Sequence, residues 1–176
     1  MIFKFFFNKL VFFQAVFCCI IICFDSVDAN AKEKNNNKGQ VTGLPIPRFV
    51  SVKSSKVNVR RGPSSTYQID WVYTRMGVPL KVTAEYQNWR RVEDFQGEGG
   101  WIHSRLLSGK RFIIILDSRV ILKRRPNKKS PPVAIVEKGV IGRLVSTAGD
   151  WCEISVSGHS GWVMTESVWG TFLKRK

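Results

Sequence analysis

From residue 48 onward, apolar and polar residues alternate in short runs, and each run ends in Gly, Asn, Asp or Pro. Alternation sends every second side chain to one face, which is the pattern of a half-buried strand. It predicts strands at residues 49–52, 57–60, 79–86, 88–95 and 100–103. The breaks carry turn chemistry: Gln87-Asn88 and Gly149-Asp150 each sit between two runs, as hairpin loops do. Glycines at 97–100 allow a reversal through φ > 0. Val, Ile, Trp, Tyr and Phe fill the runs, and these are the residues that suit a pleated surface. One run differs. Residues 112–116 (FIIIL) are apolar at every position, so both faces of that strand should be covered. One face suits the core of its own unit and the other suits the unit before it. The link at 107–110 is too short for a flexible tether, so two units packed in one fixed orientation are expected.

The pattern also repeats. Set residue 48 against 111, and RFVSVKSSKVNVRRGP faces RFIIILDSRVILKRRP with six of 16 positions identical. At a shift of 62, Gly77, Val78 and Trp89 meet Gly139, Val140 and Trp151. At 61, Gly97, Gly100 and Trp101 meet Gly158, Gly161 and Trp162. Order, spacing and landmarks agree, so the chain holds two copies of one small unit. Several short strands in about 60 residues suggest a small closed barrel, which leaves no bare sheet edge.

The N-terminal segment has another character. Lys4 and Lys9 precede a 14-residue apolar run at 11–24, and Val27-Asp28-Ala29 and Ala29-Asn30-Ala31 both suit a signal peptidase. The apolar run is shorter than a spanning helix requires, so residues 1–29 read as a cleaved signal peptide. The mature chain then has no transmembrane segment, and the protein is exported, to the periplasm or beyond. Residues 30–47 are polar and aperiodic and read as a disordered spacer. Removing the signal removes three of the four cysteines and leaves Cys152 alone, so no disulfide can form within the mature chain. Alternation in WCEISV puts Cys152 on the apolar face with Ile154 and Val156, as a small core residue.

The first unit carries VNVRRGPSSTY at 57–67, then a Gly opening an apolar strand at Gly77, Trp89-Arg90-Arg91-Val92, and Gly100-Trp101-Ile102. In these landmarks it resembles the bacterial SH3 family, often called SH3b, and in RFVS, WVY, NWRRV and a closing W-G it is similar to secreted tandem SH3 proteins of the alphaproteobacterial type. The expected fold is therefore all-β: two tandem SH3-like barrels, at 48–108 and 111–172, after the signal peptide and spacer and before a basic tail at 173–176. The second copy departs from the pattern, with Arg125 where the first has Gly62 and with Lys128-Lys129-Ser130-Pro131-Pro132 replacing the usual loop. The resemblance implies binding rather than catalysis, with peptidoglycan peptides or other envelope ligands as the partners. Enzyme domains follow the SH3 unit in several family members, and none is expected in the residues up to Lys176.

Chemistry in the residues points the same way. No catalytic set, phosphate loop or metal-ligating cluster stands out, and two His with one Cys do not supply a zinc site. Cys152 and His159 are the one conceivable Cys–His pair, and they read as a core Cys and a solvent His. No cofactor is expected. Trp89/Trp151 and Trp101/Trp162 occur in both copies and read first as packing residues. At a shift of 62, Tyr67, Trp71 and Tyr73 face Lys129, Val133 and Ile135, so that aromatic set belongs to the first copy alone. Trp71 and Tyr73 share a face if 69–73 is extended. They line a ligand groove or pack on the second barrel. The candidate ligand-binding set is Tyr67, Trp71, Tyr73, Trp89 and Arg60.

Charge adds a second feature. The chain carries 28 Lys and Arg against 13 Asp and Glu, a net +15 that survives loss of the signal. Such a charge favours anionic partners. Export points to envelope polymer rather than nucleic acid, so no nucleic-acid partner is expected. Lys123, Arg124, Arg125, Lys128 and Lys129 are the candidate anionic-surface contacts. The function expected from sequence is a monomeric, non-catalytic envelope module that recognises peptidoglycan or another anionic surface polymer. An adaptor that docks an exported protein through the first barrel is the alternative.

Overall fold

The computed structural model describes residues 37–172; the expected signal peptide, the first part of the spacer and the basic tail lie outside them. Fourteen strands form two antiparallel seven-stranded sheets. The first holds β1 (Arg48–Val52), β2 (Val57–Arg60), β3 (Ile69–Tyr73), β4 (Pro79–Tyr86), β5 (Trp89–Glu93), β6 (Gly99–His103) and β7 (Leu107–Ser108). The second holds β8 (Phe112–Ile115), β9 (Arg119–Lys123), β10 (Pro132–Glu137), β11 (Ile141–Ala148), β12 (Trp151–Val156), β13 (His159–Met164) and β14 (Val168–Trp169). Both sheets have one order, β3-β2-β6-β5-β4-β1-β7 and β10-β9-β13-β12-β11-β8-β14. The sequence repeat is therefore a topological repeat.

Each sheet wraps its own core. Val52, Val57, Val59, Leu80, Val82, Val92 and Ile102 fill the first. Ile113, Ile115, Leu122, Cys152, Ile154 and Val163 lead the second. The Gly-Trp landmark has a packing reason. A Cβ on Gly100 would stand 2.5 Å from Val59 Cγ1, and one on Gly161 would stand 2.8 Å from Leu122 Cβ. In both barrels the sixth strand crosses the second so closely that only glycine fits.

One expectation is corrected here. Residues 37–47 of the expected spacer are ordered. A bridge pairs Lys38 with Pro45, and Gly39 N–H donates to Leu44 O at 2.7 Å. This strap lies on Glu85, whose carboxylate accepts from Val41 N (3.0 Å), Thr42 N (2.9 Å) and Thr42 Oγ1 (2.7 Å). Arg48 reaches the same carboxylate at 2.6 Å, and the buried Arg90 lies at 3.4 Å. Composition hid the strap because its partner is a charged residue on a strand more than 40 residues later, which no local pattern reveals. Arg90 is itself buried, with its Nη1 donating to the Gln87 and Trp89 carbonyls.

The link between barrels is shorter than the sequence suggests. Leu107 and Ser108 pair with Val52 and Ser51 as β7, and Ser51 Oγ donates to Lys110 O at 2.8 Å. The first barrel then meets β8 directly. Phe112 packs on Gly77, and Ile114 is buried although it belongs to neither core. Trp169, at the end of the second barrel, turns its ring edge-on to Phe49 of the first, at 4.9 Å between centroids. Phe172 joins that contact at 4.6 Å from the Phe49 ring.

Candidate functional site

An open cleft of about 770 Å³ runs along one end of the first barrel. The loop between β2 and β3 gives one wall, with Pro63, Ser64, Ser65 and Tyr67. The β4–β5 turn gives the other, with Tyr86, Gln87 and Trp89, and His103 and Arg105 lie at its foot. The loop wall is built by two local devices. Arg60 Nη1 donates to Tyr67 O at 2.5 Å, which pins the loop end. The Tyr67 ring lies flat on Gly62, where a Cβ would stand 2.6 Å from ring carbons. The turn wall follows from register: Tyr86 pairs with Trp89, and Trp89 with His103. The Trp89 and His103 rings meet edge-on at 5.3 Å.

The electrostatics are one-signed. No carboxylate lines the cleft, and Arg105 brings a full charge. Burial lowers the pKa of His103, and the neighbouring Arg105 and Arg90 lower it further. His103 Nδ1 already accepts from Arg105 N–H at 3.3 Å, so the ring stands neutral as an acceptor there. The cleft thus offers aromatic faces, serine hydroxyls and a cation, a set that holds a ligand by stacking and by a carboxylate.

The structure divides the sequence-derived set. Tyr67 and Trp89 line the cleft, and Arg60 shapes it from behind. Trp71 and Tyr73 stand outside the cleft lining. They share a face of β3 as expected, with rings edge-on at 6.5 Å, and that face packs on their own barrel's core rather than on the second barrel. Tyr73 Oη donates to Asp94 Oδ2 at 3.4 Å; burial and the Asp94 charge raise its pKa, so the phenol keeps its proton. Trp71→Ala is therefore expected to cost about 2 kcal/mol in stability, read by denaturant unfolding. Ligand retention by the protein that stays folded should not change.

Tyr86, His103 and Arg105 escaped the sequence reading. A signal for Tyr86 was present: a two-residue turn at 87–88 sets Tyr86 opposite Trp89. His103 and Arg105 come from a strand end and the single 3-10 turn after it, and only the closed barrel brings them there.

The second barrel does not repeat this site. Its registers put Ala148 beside Trp151, and Met164 opposite Trp151, where the first has Tyr86 and His103. Glu166 stands in the turn that carries Arg105 in the first copy. Instead the loop between β9 and β10 presents Arg124, Arg125, Lys128 and Lys129, all exposed, next to Lys123. It is a built loop, closed by Arg124 N–H to Pro131 O at 3.0 Å and Arg125 N–H to Ser130 Oγ at 2.9 Å. Every ion pair among the described residues lies in the first barrel, so these cations face solvent unpaired.

Cys152 is fully buried in the second core beside Ile154, and burial alone pushes its thiol up to about 12. Such a thiol is not a nucleophile at neutral pH. No group of three or more His, Cys, Asp or Glu among the described residues could hold a metal. No described helix is long and apolar enough to cross a membrane.

Comparison with known proteins follows the repeat. The family model described as bacterial SH3 domain matches residues 53–109 and again 117–170. No curated protein matches the chain. Among solved structures, the chain is similar to NlpC2 from Trichomonas vaginalis at 9% identity and a TM-score of 0.33, over 72% of this chain and 49% of that one. It is also similar to an NlpC/P60 family protein from Bacillus cereus at 12% identity and a TM-score of 0.31, over 69% and 55%. NlpC1 from Trichomonas vaginalis gives 11% identity and 0.33, over 76% and 49%. The chain spans about half the length of these structures.

Proposed function

This chain belongs to the bacterial SH3 domain family, and from that premise we propose that it is a non-catalytic module that binds peptidoglycan or another anionic envelope polymer. Members of the family are generally binding modules without catalysis. The observation that carries the reading is the first-barrel cleft: three aromatic rings and Arg105 around a space with no carboxylate. Wall polymer combines sugar faces and short peptides with free carboxylates. Rings receive the first, and the guanidinium receives the second. The basic loop of the second barrel supports the reading as a separate, long-range attraction for the same polyanion. An exported, proteolytically matured form fits this setting and is part of the proposal.

The test is retention of the purified protein on peptidoglycan sacculi at low and high salt. Tyr67→Ala and Arg105→Glu are expected to weaken retention about tenfold each while leaving the fold intact, since both side chains are exposed. Removing Lys128 and Lys129 together should flatten the salt dependence and leave the high-salt residue of binding in place. Retention that ignores Tyr67 and Arg105 would sink the cleft, and no retention at either salt would sink the polymer.

A further inference from the structure

The second barrel contains a hollow of about 770 Å³ that shares no residue with the first-barrel cleft and lies beside the basic loop. Its floor is apolar, made by Leu122, Ala134, Val136, Val140 and Val156. Strand registers show what fills this place in the first barrel. Val59 pairs with Trp71 and Val57 with Tyr73; Leu122 pairs with Ala134 and Val120 with Val136. Ala134 therefore stands where the first barrel has the Trp71 indole, and Val136 where it has the Tyr73 phenol. The polar partners have changed as well. Val92 faces Gly100 and Ile154 faces Gly161, so Val156 replaces Asp94, the acceptor for the Tyr73 hydroxyl. His159 opens β13, where the first barrel has Glu98 just before β6. Two rings and two carboxylates are gone, and their place is open.

The surroundings set the charge of an occupant. Arg119 borders the hollow and also an adjoining cleft of about 330 Å³ that contains Lys123 and Lys128. Glu137 and Asp117 are the carboxylates of these two linings, and neither makes an ion pair there. The exposed Arg124, Arg125 and Lys129 continue the positive surface.

We propose that this hollow is a binding site for the aromatic side chain of an acidic peptide, with the ring over Ala134 and Val136 and the flanking carboxylates on Arg119 and the lysines beside it. The first barrel supplies the ring from its own chain, whereas the second takes it from a partner. An apolar hollow with its natural filler absent binds a ring of matching size. The neighbouring cations select the peptide that carries it.

The probes are acetyl-Asp-Trp-Asp-amide and acetyl-Lys-Trp-Lys-amide, titrated into isotopically labelled protein purified after expression of the full chain. The acidic peptide should shift the amides of Ala134, Val136, Val156 and His159, and the basic one should bind about tenfold more weakly. Ala134→Trp, which rebuilds the first-barrel filling, should abolish those shifts and raise the melting temperature. Val136→Tyr gives a second filled variant should the first fail to fold. Shifts confined to the first-barrel cleft would overturn the proposal, as would equal binding of the two peptides or no shift at millimolar peptide. The shift map separates this site from the polymer cleft, so either can fail alone.

Discussion

Glu85→Gln is expected to lower the stability of the first barrel by about 3 kcal/mol, the scale for breaking a buried, hydrogen-bonded ion pair from one side. The Glu85 side chain is fully buried, and it holds together three parts distant in sequence: the strap at Val41 and Thr42, Arg48 on β1 and Arg90 on β5. An amide in its place leaves two guanidinium groups with no counter-charge. The pH dependence follows from the same geometry. Burial pushes the Glu85 pKa up, but bonds from the Thr42 hydroxyl and N–H, Arg48 and Val41 N–H outweigh it and hold the group at about 2, against an ordinary 4.5. A folded-state pKa below the unfolded one adds stability that is complete above about pH 4.5 and is lost as the pH falls from there towards 2. Urea unfolding across that window should show the wild type losing stability with acid and Glu85→Gln losing far less. A useful control is Glu93. It pairs with Lys81 at 2.7 Å, but both side chains are about one-third exposed, so Glu93→Gln should stay within about 0.5 kcal/mol of wild type. Equal effects at the two sites, or acid sensitivity unchanged without Glu85, would show that the strap is not held this way. The second barrel has no such lock, since Thr147 and Cys152 pair where the first has Glu85 and Arg90.

Phe49→Ala is expected to separate the two barrels thermally. Phe49 lies on β1 of the first barrel, yet its ring contacts are Trp169 and Phe172 from the end of the second. Truncation removes both ring contacts at once and should cost about 2 kcal/mol, the scale for a half-buried aromatic with two ring partners. In the wild type, calorimetry should give one unfolding transition, because the covered face of β8, the Ser51–Lys110 bond and the Phe49 cluster join the barrels. In Phe49→Ala the transition should split or broaden into two, and NMR relaxation should report a looser pair. A single sharp transition at the wild-type temperature would mean that the β8 face alone couples them.

These expectations mark where sequence reading stops. Five strands of the first barrel, the two-barrel repeat and the core place of Cys152 were legible, because alternation, turn residues and Gly-Trp landmarks are local requirements of the backbone. Gly100 and Gly161 survive in both copies since any Cβ there strikes the facing strand. The alignment of Trp71 and Tyr73 was set one residue off. The registers equate them with Ala134 and Val136, so the one-residue drift falls after β3 and not before it. Replacing Trp by Ala on an inward face leaves the alternation intact, so nothing in the sequence marked the hollow. Tyr67 and Trp89 could be named from sequence, but their company could not. Tyr86 needed a register, and His103 and Arg105 needed the closed barrel. Glu85 carried no mark in the sequence, because the strap that lies on it comes from more than 40 residues earlier. The sequence by itself determined which residues face inward and where the chain turns, because those choices depend on neighbours two to four positions away. Only the tertiary structure decided which inward faces are filled, which charges are buried and what lines each cleft, because those depend on contacts between segments from about a dozen to more than 40 residues apart.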